Sequence, residues 1–320
     1  MKMRLENIKK LCFIDENPPA LKKGEDLSVM NSIDDAYLII ENDRIADYGK
    51  MYNFGEHVDE VVDCTDSYIL PAFVDSHTHI VYAETRYPEF RMRIAGASYE
   101  AIAEAGGGIL NSAAKLQDKE EDALFESACE RVEELIRNGV GALEIKSGYG
   151  LSPKSEYKML RVIQRIKEHF PIPIKSTFLG AHAIPAKYKH DRNSYVDLIC
   201  EEMIPYVADH QLANYCDVFC DKGFFTVDET RKILKAGLER GLRPKIHANE
   251  LDVSGGVQIA CDMGAVSCDH LERITQVEID YLKRHQTIPT VLPGTSFYLN
   301  LPYAPAREMI DAGLGVCIAS

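Results

Sequence analysis

A chain of 320 residues, 46% hydrophobic and 27% charged, has the composition of a folded protein with room for one large domain and a small companion. Its formal net charge of -14, with Lys and Arg scattered, excludes a nucleic-acid partner, because phosphate-backbone binding rests on counterion release at clustered basic side chains. The N-terminal MKMRLENIKKLCFIDENPP has no apolar signal-peptide core, and no later stretch runs apolar long enough to span a bilayer, so the expectation is a cytoplasmic protein with no membrane partner.

Residues 1–67 carry short alternating stretches, Tyr37 to Ile40 and Arg44 to Ala46, broken at Asn42-Asp43 in END-RIADYG. The pattern predicts a small β module built from hairpins. The next stretch, Tyr68 to Val74, is apolar and runs into Asp75, His77 and His79, as expected of a buried strand that ends in ligand-capable side chains. Residues i and i+2 of a strand share a side, so His77 and His79 aim into one space, about 6 to 7 Å apart along the backbone. Taken alone, H-x-H is also what two ordinary histidines at a strand end look like.

Beyond Arg86, Ala105 to Ile109 reads AGGGI, without the spacing or preceding strand of a dinucleotide fingerprint, and suits a loop near a site or a plain linker. From Glu120 onward strand and helix alternate. Helices are predicted over 120–138, 154–169, 195–210, 227–240, 257–263, 277–285 and 306–312. The strands between them fall at 140–146, 172–181, 215–220, 245–248, 265–269, 287–292 and 314–319. Counted from the H-x-H strand, this predicts a (β/α)8 TIM-like barrel over residues 68–320, beside an N-terminal part of a small β-sandwich domain, incomplete here, over 1–67. The nine cysteines sit mostly in strand-like runs (Cys216, Cys220, Cys268, Cys317) without a C-x-x-C pair, which suits reduced thiols.

A barrel places chemistry at the C-terminal ends of its strands. His77 and His79 end the first strand, Lys146-Ser147-Gly148-Tyr149-Gly150 the second and Gly180-Ala181-His182 the third. His247-Ala248-Asn249-Glu250 ends the fifth, and Asp269-His270 the sixth. One such histidine is unremarkable; His77, His79, His182, His247 and His270 together, from a total of 10, are hard to credit to chance.

These residues sit in LPAFVDSHTH, AGGGI, EIKSGYGL, FLGAHAIP, DVFCDKGFF, PKIHANE, CDHLERI, LPGTSFYL and PYAPAREMIDAG. In that order, from about residue 20 to the end, the chain resembles the imidazolonepropionases of the amidohydrolase superfamily, the ring-opening hydrolases of histidine degradation. The resemblance implies one divalent metal ion, Zn2+ or iron (Fe2+/Fe3+), held by His77, His79 and His247 with a carboxylate from the eighth strand. It implies attack of activated water on 4-imidazolone-5-propanoate to give N-formimidoyl-L-glutamate. Glu250 is then expected to transfer the proton, with His270 stabilising the oxyanion or sharing that work. Arg86, Tyr149 and His182 are expected to bind the small anionic imidazolone substrate, joined by Tyr99: a guanidinium for the propanoate, and neutral phenol and imidazole donors for the ring. The family also implies a homodimer at full length.

The sequence ends at Ser320, one residue before the position of the family's metal-binding aspartate. Read as it stands, the chain is therefore expected to be impaired in hydrolysis and prone to aggregate. Two other readings remain open at this point: another cyclic amidohydrolase or deaminase sharing the same histidines, and an inactive metal-binding relic.

Overall fold

The structure, a computed structural model, describes residues 1–52, 57–97 and 106–320. Tyr99 lies outside the described residues, as does Ala105 of the AGGGI stretch. The chain divides into two compact units, Met1–Ala72 and Phe73–Ser320.

The first unit is a five-stranded sheet of β1 (Lys2–Cys12), β2 (Ser32–Glu41), β3 (Arg44–Lys50), β4 (Glu60–Asp63) and β5 (Tyr68–Ile69). Asn42 and Asp43 take φ of 50° and 61° and leave Glu41 opposite Arg44, the two-residue turn whose twist matches that of the strands it joins. β1 is central, antiparallel to β2 and parallel to β4 and β5. Ile8, Leu11, Ala36, Leu38 and Cys64 pack together to form its core.

The second unit is a parallel sheet of eight strands in strict chain order: β6 (Phe73–Thr78), β7 (Val140–Lys146), β8 (Ile174–Ala181), β9 (Tyr215–Cys220), β10 (Arg243–Ala248), β11 (Ser267–His270), β12 (Ile288–Val291) and β13 (Cys317–Ile318). The first and last strands meet where the Ser320 N–H donates to the Asp75 carboxylate at 3.2 Å. Helices cover the outside. In α1 (Glu121–Arg137), Leu124, Ala128 and Val132 recur every fourth residue and are buried, as the spacing demands. α2 (Pro153–His169) starts with proline at its first position and a Ser152 side-chain cap, and α3 (Val227–Glu239) with a capping box of Thr226 and Glu229.

Two expectations are corrected. The single strand expected from Tyr68 to Val74 is broken: Tyr68–Ile69 belongs to the first unit, β6 starts only at Phe73, and Pro71 between them has no N–H to donate to a ladder. Its apolar start is also not buried, with Phe73 59% and Val74 64% exposed. The helix expected over 195–210 starts at Arg192 and is interrupted by a π turn, Ile199–Met203, just before Pro205, a residue that cannot donate to the helical ladder.

The barrel interior departs from the usual apolar filling. Glu144 and Lys146 on β7, Lys245 and His247 on β10, and Ser267 and Asp269 on β11 are i, i+2 pairs, all buried. With Asp217 of β9 and His77 of β6 they fill the inside with polar and charged side chains, while Ile145, Ile246 and Cys268 between them face the helices.

Candidate active site

One nitrogen each of His77, His79 and His247 lies within 4.8 Å of the others. Two of the three rings are oriented by carboxylates. His77 Nδ1 is 2.7 Å from Asp269 and His247 Nδ1 is 3.0 Å from Asp217. An ionised carboxylate can only accept, so in both rings Nδ1 carries a proton and Nε2 is the nitrogen left for another partner. Those carboxylates are held ionised. Burial works to raise Asp217, but His247 and Lys146 outweigh it and hold the acid far below its ordinary range. Asp269 ends at about 2, with Lys245 and Lys146 outweighing the same burial cost. Lys146 lies 2.7 Å from Glu144, 2.8 Å from Asp217 and 3.5 Å from Asp269. Burial opposes its charge, and the three acids keep it protonated above its ordinary range.

Three imidazoles beside this layer, His77, His79 and His270, are neutral. Burial, then the neighbouring Lys146 and histidines, pushes His77 well below the ordinary range, and burial with His182 does the same to His79. His270 follows, through burial and His247; its ring centroid is 5.0 Å from that of His247 and 5.2 Å from that of His77.

Glu250 and His270 meet at 3.5 Å, and Glu272 approaches the same His270 Nδ1 at 3.9 Å from the other carboxylate. Burial raises Glu250 to about 8, helped by Glu272 and Asp221; burial raises Glu272 to about 7 against the hydroxyl that Ser296 donates to it at 2.7 Å. His270 and Leu271 sit at φ 83° and 73°, a costly backbone for non-glycine residues and typical of functional positions. The backbone N–H groups of Glu250, Leu251 and Asp252 donate to Asp221 at 2.8, 2.9 and 3.1 Å, which fixes the loop that carries Glu250.

Arg86, Tyr149 and His182 line the same cavity of about 840 Å³ as the histidine trio, Glu250 and His270. Arg86 does not reach into it alone: Glu89 accepts from its guanidinium at 2.6 and 2.9 Å. Burial raises the Tyr149 phenol, with Arg86 opposing, so the hydroxyl stays protonated and can donate. His182 corrects the expectation of a neutral donor. Its Nδ1–H donates to the Gly148 carbonyl at 3.0 Å, and burial with His247 lowers its pKa to about 3, so the free Nε2 offers a lone pair. That suits a ring N–H rather than a ring carbonyl.

No family model matches the chain. Curated relatives do. The imidazolonepropionase of Christiangramia forsetii is 46% identical over 321 residues, covering 100% of this chain and 78% of that protein. Those of Flavobacterium johnsoniae and Clostridium tetani are 46% and 41% identical, covering 99% and 93% of this chain and 77% and 72% of theirs. The chain belongs to the imidazolonepropionase family.

Solved structures share the fold of this imidazolonepropionase-family chain at much lower identity. A guanine deaminase from C. acetobutylicum with bound guanine has a TM-score of 0.70 at 14% identity, covering 100% of this chain and 74% of that one. A 5-methylcytosine deaminase from Klebsiella pneumoniae gives 0.69 at 13%, covering 99% and 74%. A variant of atrazine chlorohydrolase from Arthrobacter aurescens, complexed with zinc and atraton, gives 0.67 at 12%, covering 99% and 71%.

The histidine trio fits a metal ion on its own chemistry. Among the described residues, Nε2 of His77, Nε2 of His247 and Nδ1 of His79 are buried with no hydrogen-bond partner, and Asp269 and Asp217 hold the His77 and His247 rings from their Nδ1 sides. Sequence reasoning placed Lys146 and Asp269 at strand ends without giving them a role, and missed Asp217. The signal was present in the alternation of Glu144-Ile145-Lys146, Lys245-Ile246-His247 and Ser267-Cys268-Asp269, with a polar residue on every inward position. Glu272 was also missed; as the residue two beyond His270 in CDHLERI, it carried no distinguishing pattern.

Proposed function

We propose that the protein hydrolyses the ring C–N bond of 4-imidazolone-5-propanoate to give N-formimidoyl-L-glutamate, the step for which its family is named. The observation that carries this is the meeting of the histidine trio with Glu250, His270, Tyr149, His182 and Arg86 around one cavity in a chain 46% identical to imidazolonepropionases. His77, His79 and His247 would hold one divalent ion, Zn2+ or iron, consistent with the zinc in a structural neighbour. Such an ion, when bound, supplies a Lewis acid that polarises a carbonyl and acidifies water.

The remaining work belongs to side chains. Tyr149 donates to the ring carbonyl side, His182 accepts from a ring N–H, and Arg86, its charge shared with Glu89, faces the propanoate. Glu250 takes the proton from the attacking water and returns it to the ring nitrogen as the C–N bond breaks; the water oxygen ends in the new carboxylate. His270, neutral and beside Glu250, donates to the oxyanion.

The test is an assay on metal-reconstituted protein with 4-imidazolone-5-propanoate, guanine and 5-methylcytosine in parallel. N-formimidoyl-L-glutamate release, lost in E250Q, is the expected result. Ammonia release from guanine or 5-methylcytosine without ring opening would overturn the proposal. Calorimetric binding of the analogue 3-(imidazol-4-yl)propanoate reads recognition independently of turnover.

A further inference from the structure

The two neutral groups at the substrate cavity, Tyr149 and His182, come from different βα loops but depend on one piece of backbone. Residues 147–151 lie in no regular element; the Ser147 amide still donates to the Thr177 carbonyl at 2.9 Å, and the amides beyond it need other acceptors. Gly148 accepts from His182 with its carbonyl, and Tyr149 follows it in the chain. The amides of this stretch converge on one side chain. Gly148 N–H donates to Glu156 Oε2 at 3.1 Å, and Gly150 and Leu151 N–H donate to Oε1 at 2.7 and 2.8 Å.

Glu156 stands on α2 and is 0% exposed. Among the described residues it has no ion pair with Lys or Arg, so its carboxyl is met by the Ser147 hydroxyl and by peptide N–H groups instead. A buried carboxylate is expensive unless fully hydrogen-bonded, and Met159, Leu160 and Ile163 show that this stretch of helix is otherwise built for apolar contact. The loop is also pressed onto the helix. A Cβ added at Gly150 would lie 2.4 Å from the Glu156 nitrogen, and one at Gly148, where φ is +110°, would lie 2.8 Å from His182 Nδ1. Position 156 thus clamps the recognition loop from behind, out of reach of substrate.

We propose that Glu156 is a positioning residue for substrate recognition, setting the Tyr149 phenol directly along the chain and the His182 imidazole through the Gly148 peptide. This rests on the reading of Tyr149 as a substrate-binding group. The test measures the dissociation constant of 3-(imidazol-4-yl)propanoate on zinc-reconstituted protein for the parent, Y149F, E156Q and the double variant, with amide hydrogen exchange over residues 147–151. Expected are losses of roughly tenfold in Y149F and at least as much in E156Q, a double variant within about threefold of E156Q alone, and faster exchange at Gly148, Gly150 and Leu151. A merely structural Glu156 predicts a lower melting temperature with an unchanged dissociation constant, or fully additive losses, and either result overturns the inference. If Y149F binds as the parent does, the reading of the substrate site fails and takes the inference with it; if Y149F weakens and E156Q does not, the inference alone fails. Should E156Q not fold, E156D, which keeps the charge one methylene short, carries the same comparison.

Discussion

At the residue scale, a histidine is a useful ligand only when one nitrogen is free and the ring cannot turn, and Asp217 and Asp269 meet both conditions from inside the barrel. D217N replaces an acceptor by a group that can present its NH2 to His247, so metal affinity is expected to fall about 10- to 100-fold, measured by chelator competition. An unchanged affinity would show that His247 needs no orienting partner. Glu250 gives a second prediction through linkage. Its folded pKa of about 8 lies above the ordinary 4.5, so the folded state binds its proton more tightly. The stability this contributes is fully present below about pH 4.5 and lost as pH rises to about 8, with Glu272 adding in the same direction up to about 7. In chelated protein, E250Q is expected to melt with the parent at pH 4.5 and above it at pH 8.5, by on the order of 2 to 4 kcal/mol. Parallel melting curves across that range would refute the assignment. The histidines, Glu250 and Tyr149 could be placed at strand ends from the sequence, and so could Lys146 and Asp269; their pairing with Asp217 and the histidines could not, because one strand's alternation does not say which strand it will face.

At the element scale, the barrel was legible because each βα unit repeats the same signals: an apolar strand, a capped start and a helical stripe. The exceptions all involve proline or an exposed edge. Pro71 divides what composition reads as one strand, Pro205 follows a π turn, and the apolar Phe73 and Val74 lie exposed. None of these depends on hydrophobicity, the quantity from which a strand or helix is read. Loop geometry was equally hidden, since Asp221 in DVFCDKGFF looks like any turn acid yet collects three amides of the Glu250 loop. D221N leaves one good acceptor for those amides. It is expected to lower kcat about tenfold with little change in KM, because the displaced side chain moves protons rather than binding substrate, and to cost about 1 to 3 kcal/mol in a thermal melt. A raised KM with kcat intact would place the Glu250 loop in binding instead.

At the scale of the whole molecule, the formal charge of -14 says nothing of the cavity, whose lining includes Arg86, Arg93 and Arg273. The histidine trio has a thermodynamic consequence that composition also conceals. Buried histidine nitrogens with no partner are left unsatisfied without the ion, so an ion that binds only the folded chain should stabilise it by RT ln(1 + [M]/Kd), about 2.7 kcal/mol at a hundredfold excess over Kd. For a chain of this length that corresponds to roughly 3 to 5 °C in melting temperature. The nine cysteines, all free, become zinc ligands once the chain unfolds, so the shift should be smaller for Zn2+ than for Fe2+ at equal multiples of Kd. The measurement is a melt of chelated protein against metal concentration, anaerobic for iron, with H77A as control. A rise that grows with metal and vanishes in H77A is expected, while an equal rise in H77A would move the stabilising ion away from the histidine trio.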